Sequence, residues 1–296
     1  MFSVETPLFS LTPLLGAVSP EARSLFPEVG FLSAITSSIF VALIVLGFLL
    51  WFAKKATSNM QLVPHKAQNG FEFLVEFLYG RVESIVGPKV APQAFPLLAT
   101  LFIFILVSNL SGLFPGVGTI GWGTKTQGFM TIDGHDMTNP LLRPPTADVN
   151  LTLAMAVAAM VVWLYLTIRE AGVIGFLKHT FLPKGGMKGL MWVMMLPIFL
   201  FVGIIEIISI LFRPVTLPLR LYGNIYAGEN VLHSMMSLAD KAGQPWSFLG
   251  SVAFALPFYF MELLVGLLQA VVFTLLCTVY IQLSTAHDES HDEAHH

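Results

Sequence analysis

The chain has 296 residues, of which 55% are hydrophobic and only 11% are charged, with a formal net charge of −3. A soluble globular chain carries about 25% charged residues, so this one lacks the charge to cover a water-facing surface, and its apolar excess equally excludes intrinsic disorder. The lone Cys277 excludes a disulfide framework or a multi-cysteine metal site, and the balance of charge gives no basic footprint for nucleic acid. What remains is an all-α polytopic membrane protein, in keeping with a mean hydropathy of +0.76.

Residues 1–30 have no positive n-region, so they read as an outer-side segment rather than a cleaved signal. The membrane domain is expected over 31–285. A bilayer core about 30 Å thick needs roughly 20 apolar residues. The first span is predicted over Phe31 to Phe52, ended by Lys54 and Lys55. Residues 71–90 place Glu72, Glu76, Arg81 and Glu83 among apolar residues at helical spacing, which predicts an amphipathic interfacial helix on the inner face. The second span is expected from about Phe95 to Phe114, closed by Pro115 and Gly116. The outer loop 116–147, rich in Gly, Thr, Asp and Pro, reads as irregular. The third span runs from about Val149 to Ile168, closed by Arg169.

Two much longer apolar stretches follow, over 190–238 and 248–283. As continuous helices they would be roughly 74 Å and 54 Å long at 1.5 Å per residue. Neither fits upright in the bilayer, so each must be strongly inclined, broken or bent. Pro197, Pro214, Pro218 and Pro257 offer bending points. The tail 286–296, AHDESHDEAHH, is acidic and His-rich and reads as disordered. Lys and Arg fall in successive loops as 1, 5, 2, 4 and 1. The positive-inside rule then gives five passes with the N-terminus outside and the C-terminus cytoplasmic.

Ionisable residues inside a membrane are costly and point to function. The fourth stretch holds Glu206, Arg213, Arg220 and Glu229, and the fifth holds Glu262. Glu206, Arg213 and Arg220 recur every seven residues, which predicts one helical stripe, with Ser209 and Asn224 close to it. Glu229 lies nine residues beyond Arg220, about 13 Å along the axis, and His233 one turn further. Glu262 and Gln269, seven apart, share a face of the last helix. An arginine cannot practically lose its proton, so it blocks cations and attracts carboxylates. Carboxylates and histidine can relay protons. A fixed barrier charge between two titratable half-paths is what a two-step ion conduit needs. Plainer readings also fit: a structural Glu206–Arg213 pair, His233 as an interfacial histidine, and Gln269 as interhelical glue. Neither a P-loop, HExxH nor GxSxG occurs, so no cofactor and no metal are expected.

The segment Pro218-Leu-Arg-Leu-Tyr-Gly-Asn-Ile-Tyr-Ala-Gly-Glu229 closely resembles the signature of subunit a of F-type ATP synthases, approximately LRLFGNMYAGE. Ala53 to Ser58 resembles the segment after that family's first span, Pro145 to Thr152 its PSADVNVT motif, and Leu268 to Phe273 its LQAFIF segment. The resemblance implies a stator subunit beside a ring of c subunits, with b-type peripheral-stalk subunits and the rest of the synthase as partners, in a bacterial plasma membrane. It implies Arg220 as the essential barrier arginine. It places Glu229, Glu262, Asn224, Gln269 and Asp148 on an outer half-channel, with Asn150 a weaker member; His233, one turn from Glu229, is a departure from the family pattern that joins them as a candidate for the family histidine's job. Glu206, Ser209 and Arg213 fall on the inner side. Many bacterial members carry His where Glu262 stands, and some carry an acid where Ser111 and Gly112 stand. The competing readings are an independent ion channel or antiporter, and an intramembrane enzyme using Glu229, His233 and Glu262.

Overall fold

A computed structural model describes residues 36–285, apart from 59, 62–63, 115–116, 118–119, 123–130, 133–138, 141, 182–189 and 241–246. The expectations for residues 1–30 and for the tail 286–296 therefore lie outside the described residues. Six helices account for most of the described chain: α1 (Ser37–Thr57), α2 (Lys66–Val86), α3 (Ala91–Gly112), α4 (Val149–Phe181), α5 (Leu190–Asp240) and α6 (Ser247–Thr285). Five of them contain apolar stretches long enough to cross a bilayer, over Ser37–Thr57, Ala91–Gly112, Val149–Arg169, Pro197–Leu232 and Ala255–Leu283. The chain is thus an all-α, multi-pass membrane protein. The loop 116–147 corrects the expectation of irregular chain. It carries a small antiparallel sheet in the order β2-β1-β3, built from Ile120–Trp122 (β1), Thr131–Ile132 (β2) and Asn139–Pro140 (β3).

Several helix ends have a local cause. Thr36 caps α1, its Oγ1 accepting from the Ile39 amide at 3.3 Å. α2 ends at Gly87, whose φ of +81° suits a residue without a Cβ. The Asp148 side chain accepts from the Asn150 amide at 2.9 Å and so opens α4. Past Arg169, α4 is interrupted at Gly172, with φ +70° and ψ 161°, which ends the membrane-spanning part. α5 runs on as helix through Pro197, Pro214 and Pro218. Its apolar part alone, Pro197–Leu232, holds 36 residues. At 1.5 Å per residue that is about 54 Å, so it must incline steeply or curve within a core about 30 Å thick.

The core lies between α3, α4, α5 and α6. On α3 it takes Ala91, Ala94, Leu98, Leu101, Phe102 and Ile105, a spacing of three and four that puts them on one face. Ala156 and Ala159 of α4 and Ala270 of α6 let backbones approach where side chains would hold them apart. Phe273, Cys277 and Ile281 continue the buried face of α6. α2 lays Leu78, Val82 and Val86 on this core and leaves Phe73 and Phe77 exposed. The outward residues of α1 and α5, such as Leu43, Leu50, Phe201 and Leu211, are large and apolar, as a lipid-facing surface requires.

Candidate functional site

Along α5 and α6 the polar residues form two groups separated by Arg220. The first group gathers where α3 and α5 finish and α4 and α6 begin. Glu262, 6% exposed, and Gln269, 4% exposed, both face inward from α6, as their seven-residue spacing predicts. Asn224 of α5 meets the second of them: its Nδ2 donates to Gln269 Oε1 at 2.8 Å. Glu262 sits against Gly228 so closely that a Cβ there would overlap its carboxylate. The glycine preceding Glu229 therefore makes the seat for the carboxylate of the neighbouring helix. Glu229 Oε2 is buried and, among the described residues, has no hydrogen-bond partner. A cavity of about 20 Å³ opens between these groups, lined by Asn109, Gly112, Leu113, Pro144, Ile225, Glu229, Leu232 and Glu262. That is room for about one water molecule.

Two members of this group were not found from the sequence. Asn109 of α3 is 4% exposed, and its Nδ2 donates to the Gly266 carbonyl of α6 at 2.8 Å. A polar amide within an otherwise apolar span was the available signal. Arg143, read as one of two positive charges in the outer loop, is instead 4% exposed and close enough for its charge to act on Glu229 and Tyr222. Nothing in a loop count separates such a residue from a solvated one.

Asp148 is buried at the same end, 3% exposed. Its Oδ1 accepts from the Asn150 amide and its Oδ2 accepts from Thr36 Oγ1 at 3.3 Å. It thereby ties the starts of α1 and α4 together, and it does not line the cavity. Asn150 is exposed. The side chain of His233 lies outside the described residues.

The second group lies towards the other end. Arg213 stands over the Tyr280 ring at 4.0 Å and the Trp163 ring at 5.5 Å. Trp163 Nε1 donates to the Tyr280 carbonyl at 2.8 Å, which fixes the two walls of this aromatic cage relative to each other. Glu206 lies near enough to interact with the Arg213 charge. Ser209 is exposed. The predicted single stripe does not hold in its simple form. Arg213 turns into the bundle, whereas Arg220 is on the exposed side of α5 with Thr216, Leu219, Gly223, Asn224 and Ala227. A seven-residue repeat falls about 20° short of two whole turns, and a long flexible side chain can add to that divergence. Between the described residues and Arg220 there is no hydrogen bond or ion pair. No cluster of three or more His, Cys, Asp or Glu that could hold a metal ion occurs among the described residues either.

Five apolar helices with ionisable side chains held along the last two define a multi-pass membrane protein built around a polar seam. Residues 35–282 match the family model described as ATP synthase A chain. The chain belongs to that family, and as a subunit a it is a non-catalytic, membrane-sector component of an ATP synthase. It is 32% identical to ATP synthase subunit a of Protochlamydia amoebophila over 249 residues, which are 83% of this chain and 79% of that one. It is 33% identical to ATP synthase subunit a 1 of Photobacterium profundum over 269 residues, 88% of this chain and 90% of the other. The longer subunit a of Anaeromyxobacter dehalogenans is 30% identical over 259 residues, 83% of this chain but only 59% of that relative. The resemblance carried by residues 218–229 is therefore a true family membership.

Proposed function

We propose that the chain is the stationary half of a rotary ion conduit, handing protons to and from the carboxylates of a c-subunit ring through two offset half-channels. The outer half-channel is formed by Glu229, Glu262, Asn224 and Gln269, with His233 assigned to it by its spacing from Glu229 and Asp148 holding the wall together. The inner one begins near Glu206, Ser209 and Arg213. Arg220 stands between them. A proton arriving through the outer side neutralises a ring carboxylate, which can then face lipid at low cost. After nearly a full rotation the site returns, and Arg220 favours its ionised form, so the proton leaves towards the inside. The two dead-end paths cannot short-circuit because the guanidinium never becomes neutral. The membrane potential supplies about 2.3 kcal/mol per charge per 100 mV. The ring, b-type stalk subunits and the remaining synthase are the partners of this reading. The setting is a bacterial plasma membrane, with the N-terminus outside and the C-terminus in the cytoplasm.

The observation that carries the reading is Arg220, without a hydrogen-bond or ion-pair partner among the described residues, on the exposed side of α5 between two polar groups. From Arg213 to Arg220 is about 10 Å along the helix, and from Arg220 to Glu229 about 13 Å. The test is ATP-driven acidification of membrane vesicles. Arg220→Ala is expected to abolish pumping while ring and stalk still co-purify with the chain. Normal pumping by that variant refutes the reading.

A further inference from the structure

Asn109 is the one polar side chain of α3 that reaches the cavity beside Glu229 and Glu262. Its orientation is fixed by chemistry. The Gly266 carbonyl can only accept, so the amide atom 2.8 Å from it must be the nitrogen. The oxygen, Oδ1, is then turned away from that bond. It is buried and has no hydrogen-bond partner among the described residues. The Asn109 Cβ would also lie 3.2 Å from a Cβ on Gly266, so the small residue on α6 is what lets the amide approach. Glu229 Oε2, lining the same cavity, is likewise buried and unpartnered. While Glu229 is ionised both oxygens are acceptors and cannot bond each other, and both belong to residues that line one chamber of about 20 Å³. Buried acceptors in native proteins are almost always satisfied. A chamber of that size and polarity holds one water, which has two hydrogens to donate.

We infer that Asn109 is a positioning residue of the outer path, holding a single water between itself, Glu229 and Glu262. This inference rests on the proposed conduit and adds a third helix to it. The water donates one hydrogen to Asn109 Oδ1 and the other to a carboxylate oxygen of the Glu229–Glu262 pair. When one carboxyl of the pair is protonated, its O–H gives its proton to the water oxygen. The water's proton that pointed at the second carboxylate passes to that group, so water is regenerated and one proton has moved. The amide oxygen is too weak a base to keep the proton. It orients the water without trapping the charge, which a third carboxylate in this place would do.

The experiment measures passive proton conduction through the assembled membrane sector in vesicles, divided by the amount of assembled complex. Asn109→Leu removes the acceptor; Asn109→Thr keeps about the same volume and a neutral acceptor oxygen and loses the amide donor. Conduction is expected to fall about tenfold or more in Asn109→Leu and to stay within about twofold of wild type in Asn109→Thr. Wild-type conduction in Asn109→Leu overturns the inference. Equal loss in both variants overturns it too, because the Gly266 hydrogen bond would then be the whole role. Glu229→Gln, measured alongside, separates the two levels. If it conducts normally, the outer path itself is wrong; if it slows while Asn109→Leu does not, only the water fails.

Discussion

Replacing Gly228 by alanine puts a sharp question to the geometry of the α5–α6 seam. In an isolated helix this exchange would stabilise by about 1 kcal/mol, since glycine is the poorer helix former. The helical backbone at Gly228 is not in the left-handed region, so alanine meets no conformational strain. Its Cβ, however, would overlap Oε1, Oε2 and Cδ of Glu262. Glu262 is almost fully buried, with room for only about one water in the cavity it lines, so either its carboxyl swings off the path or the two helices part. Overpacking of this kind costs about 1–3 kcal/mol. If that energy appears as a misplaced relay group, each 1.36 kcal/mol is about tenfold in rate, and conduction per assembled complex falls roughly 5- to 150-fold. The assay is proton conduction through vesicles, normalised to assembled complex. Glu262→Asp in the same chain withdraws the carboxylate by one methylene. The double variant should therefore conduct at least as well as Glu262→Asp alone, a coupling of opposite sign to the single effect. A Gly228→Ala chain that assembles and conducts like wild type refutes the close packing of this carboxylate on α5.

The other contacts make further demands. Tyr280→Leu removes the ring beneath Arg213 but keeps the backbone carbonyl that Trp163 uses, and a double-mutant cycle with Arg213→Met should give a coupling of about 0.5–2 kcal/mol in thermal dissociation of the solubilised complex; additivity would mean the stacking contributes nothing. Asp148→Ala loses the α4 cap and should lower stability by about 1 kcal/mol, whereas Asp148→Ser keeps a capping oxygen and most of that stability. Because both Asp148 oxygens are already engaged, conduction per assembled complex should be unchanged in the serine variant, and a clear drop would put the carboxylate in the proton path.

Much of this arrangement was legible because membrane helices obey few rules. Hydrocarbon permits only backbones that satisfy themselves, so long apolar runs mark the five spans and give their order. The lengths of 190–238 and 248–283 already demanded inclination. The i, i+7 relation of Glu262 and Gln269 put both on the face that packs against α5, and Asn224 met Gln269 there. What escaped were features whose meaning depends on another element. Asn109 is unremarked within its own span, and only the approach of Gly266 shows why an amide stands there. Arg143 carries the same letter whether a loop leaves it in water or buries it near Glu229 and Tyr222. The small sheet within 116–147 is built from two- and three-residue strands, too short to leave a pattern of alternation. The divergence of Arg213 from Arg220 required knowing that Trp163 and Tyr280 come together across two helices.

That divergence bears directly on what surrounds the chain. A guanidinium at bilayer depth costs about 2.5–3.5 kcal/mol even on the most lenient scale, and more where nothing answers it. Arg213 has its answer within the chain, in the ring faces of Tyr280 and Trp163 and in the nearby charge of Glu206. Arg220, one heptad on, has none among the described residues, and its neighbour Leu219 is 53% exposed. A protein that cages one arginine so closely has the means to cage the second. Leaving Arg220 open along the least buried of the five spanning helices is economical only if an acid arrives from outside the chain to meet it. Under the proposed function that acid must also leave again, so that successive ring carboxylates can meet Arg220 in turn. A ring whose carboxylates pass one after another satisfies both conditions, and a fixed neighbour satisfies only the first. Cysteines at Thr216, Gly223 and Ala227 should then form disulfides with several ring subunits in turn as the rotor is driven, and a crosslink confined to one stationary partner would contradict a moving acid.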